Sequence, residues 1–140
     1  MNTLNLGRRS LFGLVMAGAA TAATCTAAAT RATAPDFMVT YVGAGDCTAC
    51  RVFEAEDMPR WQASPLSSSV RFVHVVAPKS SQTFNPRYWP KEARPFIGGF
   101  SAPIVPSLML VANGRVVAVG AGLRSWRQQT LPKLEQMARA

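Results

Sequence analysis

Cys47 and Cys50 stand three positions apart around Thr48 and Ala49, just after a glycine-bearing stretch, Gly43-Ala44-Gly45, that closes an apolar run. At the start of a helix this spacing supplies both steps of thiol-disulfide exchange. Unpaired backbone N–H groups and the positive end of the helix dipole favour a thiolate at the first cysteine, lowering its pKa from about 8.5 toward neutrality or below. Cys47 is therefore the expected nucleophile. Cys50, within bonding reach, is expected to resolve the mixed disulfide that Cys47 forms. Asp46 opposes the thiolate and Arg51 favours it, each as a nearby charge. No bound cofactor is needed, because the disulfide itself stores the two electrons.

Other uses of a cysteine pair are constrained by what surrounds it. A disulfide closing so short a loop restrains little of the unfolded chain and is a poor staple. Structural zinc needs four ligands, whereas the chain after residue 34 offers only Cys47, Cys50 and His74, and c-type haem attachment needs a histidine where Arg51 stands. A carrier of monovalent copper using the two thiolates remains open, as does a non-catalytic interaction module. With one histidine no Ser-His-Asp set can be built, and no glycine-rich phosphate loop follows a strand, so hydrolase and nucleotide chemistry are excluded. His74 reads as a core or strand-edge residue rather than a ligand or base. Met38, Met58 and Met109 read as packing residues.

The elements that must position the pair follow from local pattern. Asp36 to Val42 is rich in apolar and β-branched residues and predicts a strand, with the glycines beyond it as a loop. Cys47 to about Arg60 predicts a helix that Pro59 ends. Val70 to Ala77, apolar on both faces apart from Arg71 and His74, predicts a buried central strand. Residues 78–106 hold six of the ten prolines and five aromatic residues, Phe84, Tyr88, Trp89, Phe96 and Phe100. That composition predicts short helical turns in an irregular excursion whose rings cover the core. Asn113-Gly114 between two apolar runs predicts a tight antiparallel hairpin, since both residues accept the positive φ of a type I′ turn. A last helix is expected from Leu123 onward, with Ser125 and Gln128 at capping-box spacing, Leu131, Leu134 and Met137 on one face, and a kink at Pro132.

A strand, Cys-x-x-Cys at a helix start, a second strand, a proline directly before a hairpin strand (Val105-Pro106-Ser107-Leu108), an Asn-Gly turn and a last helix: over residues 36–139 this order resembles the thioredoxin superfamily, and most its small exported members. The resemblance implies an α/β, thioredoxin-like fold. In a reduced form of that fold, without the first strand and helix of a full thioredoxin, a central mixed sheet of about four strands would be flanked by helices, in the order β-α-β-(α)-β-β-α. It further implies thiol:disulfide oxidoreductase activity, a cis bond at Pro106 beside the redox-active disulfide, and a Val105 backbone that pairs with a substrate peptide. The chain departs from the family pattern. Gly45-Asp46 stand where a tryptophan usually precedes the first cysteine, Thr48-Ala49 replace Gly-Pro, Ala55 replaces a helix proline, and the first strand and helix of a full thioredoxin are absent.

The 140 residues, 49% hydrophobic and 16% charged, suit one domain and exclude collagen-like, repeat and wholly disordered readings. Residues 1–34 follow other rules. They carry Arg8, Arg9 and Arg31 but no acid, and an Ala- and Thr-rich stretch ending in Ala32-Thr33-Ala34. This is the pattern of a cleaved signal peptide, and Arg8-Arg9-Ser10-Leu11-Phe12 resembles a twin-arginine export signal, departing from it at Gly7 and Gly13. Pro35 makes cleavage after Ala34 awkward, so Ala29 and Ala22 compete, and Cys25 is expected to leave with the leader. A mature domain over 35–140 would be a periplasmic monomer that exchanges disulfides with cell-envelope proteins and a redox partner, free of the membrane once cleaved. Of the formal charge of +8 the leader carries three units. The rest contains no block of like charge that would mark a nucleic-acid arm. Arg87, Lys91 and Arg94 are the densest cations and favour an acidic partner.

Overall fold

The computed structural model describes residues 35–140; the leader read over residues 1–34, Cys25 included, lies outside the described residues. One mixed sheet organises the domain, with strand order β2-β1-β3-β4. Strand β1 (Phe37–Ala44) runs parallel to β2 (Val70–Ala77) and antiparallel to β3 (Ser107–Ala112), and β3 pairs antiparallel with β4 (Arg115–Ala121). Every residue of β1 is buried, so the strand that delivers the chain to Cys47 is firmly anchored.

Two strand expectations need correction. β2 is an edge strand, not a central one. Val73 and Val75 bury on one face, but Val76 on the other is 46% exposed and His74 is exposed with it. A strand that is apolar on both faces can still lie at an edge when neither covering layer extends fully over it. β1 also continues through Gly43 instead of ending before it. A Cβ at Gly43 would run into the Tyr41 ring, so the glycine admits a close side-chain approach within a strand. The hairpin is as read: Asn113 (φ 50°) and Gly114 (φ 75°) both adopt the positive φ that the two-residue turn requires.

The cysteine-bearing helix outruns Pro59. Helix α1 (Thr48–Val52) passes into a π-helical turn (Phe53–Asp57) and then α2 (Met58–Gln62), which has Pro59 in its first turn. The last helix repeats the device: α3 (Gly122–Ser125), a π turn (Trp126–Thr130), then α4 (Leu131–Ala138), with Pro132 in its first turn. Proline removes one donor and crowds the carbonyl four residues back, and a widened turn just before it lets the helix continue. In both cases the residue preceding proline closes the wide turn, Met58 N–H to the Phe53 carbonyl and Leu131 N–H to that of Trp126. The capping box read at Ser125 and Gln128 does not form. The helix begins three residues earlier, and Ser125 Oγ instead donates to Gln129 Oε1 at 3.2 Å.

The two faces of the sheet are covered differently. On one, Val39, Tyr41, Leu108 and Leu110 pack with Phe53, Trp61, Trp126 and Leu134 from the helices, and Leu131 and Met137 border this core. On the other, Met38, Val42, Val73, Val75, Met109 and Val111 lie under Trp89, with Phe84, Tyr88, Phe96 and Phe100 around it. Among the described residues no long helix covers that second face. Short 3-10 turns (Ser80–Gln82, Pro86–Tyr88 and Arg94–Gly99) carry the aromatic residues instead, as the proline spacing demands. Trp89 Nε1 donates to the Thr83 carbonyl at 2.7 Å, which pins the largest of these rings.

Thr40 alternates with Met38 and Val42 on the second face, is fully buried, and its Oγ1 has no hydrogen-bond partner among the described residues. A hydroxyl desolvated without compensation destabilises the fold, and valine has nearly the same shape. Thr40→Val is expected to stabilise the domain by about 1 kcal/mol, read as a higher urea midpoint at unchanged m-value.

Candidate active site

Cys47 is the N-cap of α1, with extended backbone (φ −97°, ψ 111°), and Cys50 lies in its first turn. The two are joined in a disulfide with Cα atoms 5.2 Å apart. The sheet and its flanking helices are those of the expected fold. Cys47 Sγ accepts the Cys50 backbone N–H at 3.1 Å. A hydrogen bond from an amide favours the charged form of that sulfur once the bond is reduced. Burial distinguishes the two sulfurs. Cys47 is 9% exposed and Cys50 only 1%, so Cys47 is the less buried of the two.

The cysteine turn is tied down from three directions. Gly45 N–H donates to the Ala77 carbonyl at the end of β2 (2.9 Å), and Cys47 N–H donates to the Ala44 carbonyl (3.2 Å). The Arg51 guanidinium reaches back to the Gly45 carbonyl at 3.2 Å and to Thr48 Oγ1 at 3.1 Å. Asp46 Oδ1 accepts from both the backbone N–H and the hydroxyl of Ser80, at 2.8 and 2.6 Å. Those bonds, the hydroxyl's foremost, hold the Asp46 carboxyl below the usual carboxylate range. Of these contacts only the charges of Asp46 and Arg51 were legible beforehand; Ser80 lies 34 residues away and nothing local marks it.

Val105 and Pro106 come to the same end of the sheet. The bond between them is cis. Ser107, which follows, pairs with Val42 on β1, two residues before that strand ends at Ala44. The Pro106 carbonyl accepts from Gly122 N–H at 2.7 Å, and Val105 packs against the core that contains both cysteines. Among the described residues the Val105 backbone enters no hydrogen bond. Ile104, 52% exposed, and Val119, 37% exposed, border a shallow groove of about 100 Å³ on the β4 side of this loop.

The remaining titratable groups serve the frame. Tyr41, stacked on Phe53 with ring centroids 4.6 Å apart, donates to Glu54 Oε1 at 3.1 Å, and burial with the Glu54 charge pushes its phenol pKa up. His74 sits on the edge strand against Phe72 and Tyr41, and burial pushes its pKa down while Glu54 partly offsets this. Arg127 grips buried Asp57 through two bonds of 2.8 Å and so clamps the last helix to the cysteine helix. Among the described residues no group of three or more His, Cys, Asp and Glu side chains is placed to share a metal ion.

No protein-family model matches the sequence, and no curated protein sequence matches it. Solved structures do. The chain superposes on the thioredoxin of Malassezia sympodialis (Mala s 13) with a TM-score of 0.50 and 16% identity, covering 74% of this chain and 78% of that one. Thioredoxin f2 of Chlamydomonas reinhardtii gives a TM-score of 0.47 and 19% identity over 76% and 84% of the two chains. The first likeness establishes a thioredoxin-like fold, and the disulfide at the helix start supports redox chemistry of thiol-disulfide type on it.

Proposed function

We propose that this chain is an exported thiol:disulfide oxidoreductase that acts on protein thiols and disulfides in the cell envelope. The observation that carries the reading is the Cys47–Cys50 disulfide at a helix N-terminus, with Cys47 at the N-cap and Cys50 the more deeply buried of the two. In the reducing direction the Cys47 thiolate attacks a target disulfide, and the displaced target sulfur leaves as a thiolate and takes up a proton. The Cys50 thiolate then attacks Cys47 Sγ, the second target thiol departs, and two electrons have passed from the pair to the target. The oxidising direction runs the same steps backward. The unbonded Val105 backbone next to Pro106 supports a substrate segment pairing there in extended form. The basic, acid-free leader of residues 1–34 supports export.

The test is catalysis by the purified full chain. It should accelerate reduction of insulin disulfides by dithiothreitol, or reoxidation of a reduced substrate protein in a glutathione buffer. Absence of both activities, together with tight binding of monovalent copper to the reduced protein, would replace exchange with metal carriage.

A further inference from the structure

Two opposite charges flank Cys47 in sequence, and the fold tethers them to different places. Gly45 and Thr48, the two groups that Arg51 binds, stand on either side of Cys47, so the guanidinium lies across the cysteine turn. The Asp46 carboxylate is drawn instead to the segment after β2 by the two bonds from Ser80. Ser80 is itself fixed, since it opens the 3-10 turn Ser80–Gln82 and its carbonyl accepts from Thr83 Oγ1 at 2.8 Å. Thr83 is fully buried.

We propose that Ser80 is a positioning residue for the redox pair: it anchors the Asp46 anion against the segment after β2, leaving Arg51 as the dominant charge at Cys47 and biasing the pair toward the oxidant. The inference rests on the reading of Cys47 as the attacked and attacking sulfur. The sign follows from the reduced state, which carries the Cys47 thiolate. A nearby cation lowers the energy of that thiolate and so favours reduction of the disulfide, whereas a mobile anion raises it and favours the oxidised form. The low carboxyl pKa of Asp46 keeps the anion present well into acid, so its position, and not its protonation, is what varies.

The experiment equilibrates the full chain with glutathione buffers and measures the fraction of Cys47–Cys50 disulfide. Exposed charges at this range change such an equilibrium by factors of a few. Asp46→Asn should lower the equilibrium constant for oxidation about threefold, and Ser80→Ala should raise it about twofold, the Ser80 backbone N–H still holding one bond. Ser80→Thr, which retains the hydroxyl, should match the native protein. Ser80→Ala in the Asp46→Asn background should add nothing, and 1 M salt should shrink every shift. A Ser80→Ala shift that persists in the Asp46→Asn background, or no shift at all, overturns the proposal. A pair that equilibrates with glutathione but catalyses no exchange on proteins would instead overturn the proposed function, and the Ser80 comparison would still be readable.

Discussion

Cys47→Ser is expected to reduce insulin-disulfide reduction to the rate of buffer alone, while Cys50→Ser abolishes turnover differently, by accumulating a stable mixed disulfide. The distinction follows from burial and capping. Cys47 is the helix N-cap, its Sγ receives the Cys50 amide, and it is the less buried cysteine, which under the proposed function makes it the attacking sulfur. Serine cannot supply a comparable nucleophile, since its hydroxyl stays protonated where a thiol at a helix start ionises. With Cys50 replaced, Cys47 still attacks, but nothing 1% exposed and three residues on remains to release the product. Mass spectrometry of the Cys50→Ser protein after incubation with a disulfide-bonded substrate should show one covalently bound substrate chain, removable by dithiothreitol. Trapping through Cys50 in the Cys47→Ser protein instead would reverse the assigned roles.

Trp126→Ala is expected to be the most destabilising single change to the frame. The indole, 1% exposed, meets Phe53 and Trp61 edge-on with ring centroids 5.7 and 5.9 Å away, and reaches Phe72 at 6.5 Å. These rings come from the cysteine helix, the edge strand and the last helix. Removing the central one opens a cavity that three separate elements would have to collapse into. Truncation of a buried tryptophan costs about 3–5 kcal/mol, a large share of the roughly 5–15 kcal/mol that holds a domain of this size together. A fall in Tm of roughly 20 °C should accompany it. Trp126→Phe, which keeps most of the contact area, should cost less than half as much. A loss below about 1 kcal/mol for Trp126→Ala would mean that this cluster is not the keystone of the helix-side core.

Local chemistry made much of this legible in advance. The Asn113-Gly114 turn could be read from two letters, because few residue pairs accept two positive φ angles. The clustering of prolines over residues 78–106 excluded a long helix there, and the aromatic residues among them duly cover the second face of the sheet. Other local signals have a second use that the one-dimensional pattern does not distinguish. Gly43 looks like a loop residue and is a strand residue making room for Tyr41. Ser125 looks like a cap and sits inside a helix. Pro59 looks like a terminator, and a π turn carries the helix past it.

The sequence alone determined which atoms could do chemistry: two sulfurs at a spacing and in a context that point to a helix start, with a proline before a later strand as their expected neighbour. Spacing and helix geometry are local, so those inferences needed no third dimension. The tertiary structure decided which strand lies at the edge, which cysteine is the more deeply buried, and where the charges beside Cys47 are held. Those outcomes depend on contacts across 34 residues between Asp46 and Ser80 and across 70 between Asp57 and Arg127. Sequence pattern carries no distance information over such separations, and only the closure of the sheet and the packing of both faces set them.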